Sequence, residues 1–91
     1  MANKNWFKIE TNKISETYHS IGSSPETLES LAARAQAGEF LRLDDLLYME
    51  RGDYLEWAEW DKSLTPSVMI QPAIVLSIMQ FKGDPRVIPS K

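Results

Sequence analysis

The sequence predicts an α+β fold: one helix, at about residues 25–37, packed on a bent antiparallel sheet or small open barrel of four to six strands. Three observations carry that expectation. One stretch has helix start and stop residues around an apolar stripe at helical spacing. Other stretches alternate or run apolar as strands do, and clusters of Gly, Pro, Asp and Ser separate them.

Taking the elements in order, Trp6 to Glu10 alternates as a short strand, Thr11-Asn12-Lys13 reads as a turn, and Ile14 to Tyr18 returns as a second strand. Ile21-Gly-Ser-Ser-Pro25 punctuates the chain. Ser24 can cap a helix through its hydroxyl, and Pro25 suits the first helical position, where its missing N–H would have had no partner. Glu26 and Glu29 then sit near the positive end of the helix dipole. Leu28, Leu31, Ala32 and Ala35 form a narrow apolar stripe suited to close packing on a sheet, and Gly38 can turn left-handed at the end.

Beyond Phe40 the period shortens. Leu41, Leu43, Leu47 and Met49 share one face of an extended strand, Arg42, Asp44 and Glu50 take the other, and Asp45 interrupts the apolar face where a bulge or break would fit. Leu43, Leu46 and Leu47 also satisfy a helical stripe, so residues 40–50 carry a competing helical reading. Glu50-Arg-Gly-Asp53 is a turn, and Tyr54 to Trp60 reads as a returning strand, with Tyr54, Ala58 and Trp60 on one side and Leu55 and Trp57 on the other. After a loop ending at Pro66, thirteen of the fifteen residues from Ser67 to Phe81 carry neither charge nor amide. Val68 and Ile70 lead into Gln71-Pro72, where proline cannot donate a ladder bond. Ile74 to Phe81 is apolar on both faces, as a strand buried on both sides or a buried helix would be, and its β-branched content favours the strand. This segment is expected to run through the middle of the sheet. Residues 1–5 and 86–91 are expected to be loosely ordered flanks of a single domain spanning 1–91.

The strand pair from Val68 to Met79, interrupted at Gln71-Pro72, and the order of a helix followed by strands resemble small Sm-like and SH3-like barrels. The resemblance implies a small β-barrel. It does not carry over RNA binding, because Gln71 and Pro72 stand where the bacterial Sm-like proteins place basic and histidine residues, and the arm before the helix is longer than in that family.

Composition narrows the function classes. There is no cysteine, which removes disulfide scaffolds, thiolate nucleophiles and zinc fingers together. No run approaches the ~20 apolar residues of a membrane helix, and Met1 to Trp6 lacks the apolar core of a signal peptide, so a soluble cytoplasmic protein is expected. Net charge is −3, but Glu39 to Asp61 holds eight acids and two bases, the wrong sign for binding nucleic acid. The ends are mildly basic (Lys4, Lys8, Lys13; Lys82, Arg86, Lys91), and a nucleic-acid-associated barrel using them is the alternative reading.

No catalytic constellation emerges. His19, the single histidine, lies in a polar run and reads as an exposed or edge-strand residue; Asp44-Asp45 and Asp53, Glu56 and Glu59 lack calcium-loop spacing and read as solvated charge. Gly22-Ser23 has no nucleophile-elbow frame, and Gly22, Gly38, Gly52 and Gly83 are too scattered to cradle a phosphate. The expectation is therefore no enzyme, no cofactor, no metal and no small-molecule substrate. The unusual segment is Tyr54 to Asp61, in which Tyr54, Trp57 and Trp60 stand among Glu56, Glu59 and Asp61. Rigid aromatic area beside negative charge suits an interaction patch for a basic protein partner. Two tryptophans filling the core beneath the helix is the competing reading. An exposed sheet edge would add a route to self-association.

Overall fold

A computed structural model describes residues 4–57, 62–63 and 66–86. Its elements are β1 (Asn5–Lys13), β2 (Glu16–Ser24), α1 (Leu28–Gln36), β3 (Leu41–Glu50), β4 (Asp53–Glu56), β5 (Val68–Ile70), a 3₁₀ turn (Pro72–Ile74) and β6 (Val75–Gln80). One helix packs on a six-stranded antiparallel sheet ordered β4-β3-β2-β1-β6, with β5 added to β3, as an α+β fold requires. The sheet does not close: β5 pairs with β3, β6 pairs with β1, and the 3₁₀ turn joins them. Two nine-residue strands, β1 and β2, precede the helix, a departure from the element order of the barrel resemblance.

β1 and β2 are longer than the alternation suggested, and the turn falls later. Thr11 to Lys13 continue β1, and Lys13 pairs with Glu16 around a two-residue turn at Ile14 and Ser15. Ile21 to Ser24 are strand rather than punctuation, because Ile21 is buried and Gly22 lets β3 approach closely. A Cβ on Gly22 would lie 2.7 Å from the Asp44 carbonyl oxygen. The helix starts three residues later than predicted, with Pro25 in a bend before it. Thr27, not Ser24, is the cap: its side chain accepts from the Ser30 N–H at 3.0 Å, while Ser24 Oγ accepts from the Glu26 N–H inside the bend. Gly38 is left-handed (φ 78°), as expected just past a helix end.

Two bulges account for where the faces of β3 and β6 depart from the alternation expected of them. Ile21 pairs with Leu47 and Ser23 with Asp44, so two steps on β2 match three on β3, and Asp45 there has φ 51°. The bulge flips the phase: Leu41 and Leu43 join the helix-side core with Leu46, whereas Leu47 belongs to the opposite side and Met49 is exposed. On β6, Glu10 pairs with Ser77 and Thr11 with Val75, which leaves Leu76 as the extra residue. β6 ends the sheet instead of running through its middle, and Leu76 and Met79 are 55% and 45% exposed, not buried on both faces.

The core has two layers. Phe7, Ile9, Leu41, Leu43 and Ile70 meet Leu31 of α1 on one side of the sheet. Trp6, Ile21 and Leu47, with Tyr54 and Phe81 against them, make a smaller cluster on the other. Trp6 and Phe7 are neighbours that point to opposite faces, so β1 links both layers. Each large apolar side chain fully removed from water contributes about 1.5–3 kcal/mol, which makes the helix-side layer the main stabilising one. At the flanks, Asn5 opens β1 and Arg86 is held by ion pairs.

Candidate functional site

The face not covered by α1 carries the second cluster, and β4 brings the sequence-predicted residues to its border. Tyr54 pairs with Met49 and Glu56 with Leu47, so both side chains lie on the face of Leu47, while Leu55 points the other way. The Tyr54 ring meets Phe81 edge-on, with centroids 5.6 Å apart. Phe81 follows β6, and its N–H donates to the Trp6 carbonyl at 2.8 Å, which carries the β1–β6 ladder one step further and aims the chain across this face.

Lys82 to Arg86 then form a short strap with Pro85 buried. The strap is internally braced: Asp84 Oδ1 accepts from the Arg86 N–H at 2.9 Å and from Nε at 3.0 Å, and Oδ2 accepts from Nη2 at 2.6 Å. That fork-to-fork contact holds the Asp84 carboxyl below the usual carboxylate range and raises the Arg86 guanidinium further above its ordinary value. The remaining edge of the guanidinium donates from Nη1 to Glu56 Oε2 at 2.7 Å, and its carbon lies 4.9 Å from the centre of the Trp6 ring. Trp6, only 5% exposed, thus provides an aromatic floor, and Glu56 a carboxylate wall, around one planar cation.

Trp57 lies outside β4 and meets Tyr48 edge-on at 5.9 Å. It borders a cleft of about 320 Å³ with Lys8, His19, Ile21, Leu47 and Met49. The cleft exists because the described β2–β3 ladder ends at Ile21–Leu47: beyond it Thr17 to Ser20 follow β1, and Tyr48 to Glu50 follow β4. Of the predicted patch, the structure therefore brings Tyr54 and Glu56 to the strap and sends Trp57 to this cleft. Half-buried Trp57 lies at this cleft against the Tyr48 ring. Glu59, Trp60 and Asp61, with Ala58, lie outside the described residues.

The other candidate groups are spent locally. His19 Nε2 is 3.5 Å from Glu10 Oε2 on an exposed stretch of β2, and Ser77 donates to the other Glu10 oxygen at 3.1 Å. Asp44 accepts from Ser67 Oγ and Arg42 Nε, and Asp45 from Ser23 Oγ and Lys4 Nζ. Hydroxyl donation from Ser67 and from Ser23, respectively, is the largest cause holding these two carboxyls below their ordinary value. No group of three or more metal-ligating side chains gathers among the described residues.

Trp6, Phe81 and Asp84 were not legible as site residues, and Arg86 stood out only as one of the basic end residues. Arg86 and Glu56 are 30 positions apart, and no local pattern links them. No family model, curated protein or solved structure matches this chain.

Proposed function

We propose that this protein is a non-catalytic interaction module that takes an arginine-bearing segment of a partner protein on its acidic and aromatic face. The observation that carries the reading is the Arg86 guanidinium seated 4.9 Å from the centre of Trp6 and 2.7 Å from Glu56. A site that holds one guanidinium has the shape and charge to hold another, because the ring quadrupole and the carboxylate act on the cation irrespective of which chain supplies it. The local excess of acids between Glu39 and Asp61 adds a favourable field for a basic partner. The basic ends offer less to nucleic acid than their residue count implies, since Lys4 is paired with Asp45 and Arg86 with Asp84 and Glu56.

The test is fluorescence anisotropy with a labelled arginine-rich octapeptide, its citrulline counterpart and an oligonucleotide of equal length. The reading expects the arginine peptide alone to bind, more weakly to Glu56→Gln. Equal binding of the citrulline peptide, or preference for the oligonucleotide, would contradict it.

A further inference from the structure

We infer that the carboxy-terminal strap is a built-in competitor: Arg86 occupies the guanidinium site in cis, and a partner arginine binds by displacing it. The inference rests on the proposed function and adds a regulatory contact to it. Three features of the strap point this way. It is braced within itself, since Asp84 holds both the backbone N–H and the side chain of Arg86, so it can leave the sheet without losing its own hydrogen bonds. Among the described residues, its attachments to the rest of the molecule beyond Phe81 include the Glu56 ion pair, which is partly exposed to solvent, the Trp6 contact and the burial of Pro85. At Gly83, where the strap leaves β6, an added Cβ would meet no described residue within 4 Å. What the strap covers is Trp6, and what it neutralises is Glu56, the floor and the wall that an incoming guanidinium needs.

The occupant follows from the same chemistry. Trp6 and Glu56 accept a planar, weakly hydrated cation that stacks and donates at once, which favours arginine over lysine. A binding-competent state populated only while the strap is open weakens the apparent affinity of any competing segment by the closed-to-open ratio.

The test uses the full chain and a labelled peptide with the sequence of residues 82–86, Lys-Gly-Asp-Pro-Arg. Arg86→Ala should bind this peptide roughly tenfold or more tightly than the unaltered protein, and adding Glu56→Gln should remove the gain. Should Arg86→Ala fail to fold by circular dichroism, Arg86→Lys takes its place, with a smaller gain in the same direction. Equal affinity for the unaltered and Arg86-substituted proteins overturns the competitor role while leaving the arginine-binding reading intact. Absence of binding to the Arg86-substituted protein, by this peptide and by the arginine-rich octapeptide alike, overturns both.

Discussion

The Ser23 hydroxyl donates to the Asp45 carboxylate at 2.6 Å across the place where β2 and β3 fall out of register. The bond ties the bulged residue of β3 to its neighbour strand, and Lys4 Nζ, 3.1 Å away, adds charge to it. Asp45, Asp44, Asp84 and Glu26 all titrate below their ordinary values; the largest causes are hydrogen bonds from Ser23, Ser67, Arg86 and Ser30, respectively. A depressed folded-state value means the unfolded chain takes up protons first as the solution is acidified. The contribution is therefore complete above the ordinary carboxylate range of about 4 and is lost as pH falls below it. Chemical denaturation at a series of pH values should give a midpoint that is flat near neutrality and declines below about pH 4. Asp45→Asn should make that decline shallower.

Gly22→Ala should destabilise the fold by about 1–3 kcal/mol, the usual range for overpacking. The added Cβ would stand 2.7 Å from the Asp44 carbonyl oxygen and 3.1 Å from Leu43 Cβ, so β3 must move or the bulge must relax. Urea denaturation measures the loss; an unchanged midpoint would mean that the strands do not approach this closely.

Ile14 is the reverse case. It sits 92% exposed at the tip of the β1–β2 hairpin with φ 62°, a conformation that glycine and asparagine adopt readily and β-branched residues do not. Ile14→Gly should raise stability by about 1 kcal/mol through relief of that strain. A higher unfolding temperature in calorimetry checks it.

Thr27→Ala should cost about 1 kcal/mol, since it removes the acceptor of the Ser30 N–H at the start of α1, whereas Thr27→Asp should restore most of it. Guanidinium denaturation followed by helical circular dichroism separates the two.

The legible and the hidden parts of this fold divide along physical lines. Helix and strand identity followed from apolar spacing, and the helical reading of residues 40–50 and 68–81 gives way to β3, β5 and β6. Boundaries did not follow: Ser24 and Thr27 are equally plausible caps by residue type, and tertiary pairing of β2 decides between them. The bulge expected at Asp45 is there, but the faces beyond it and beyond Leu76 did not follow, because one extra residue inverts every side chain past it. At the site, Tyr54, Glu56 and Trp57 announced themselves by composition, while Arg86 stood among residues with the look of a loose tail and Trp6 looked like an ordinary strand residue. Only long-range closure brings those two together.

The most direct measurement is the nuclear Overhauser pattern of the Trp6 indole in the full chain, before and after addition of the arginine-rich octapeptide. The account predicts cross-peaks from Trp6 to the Arg86 side chain in the free protein, replaced by cross-peaks to a peptide arginine at saturation. A Trp6 ring with no arginine neighbour in either state would contradict it.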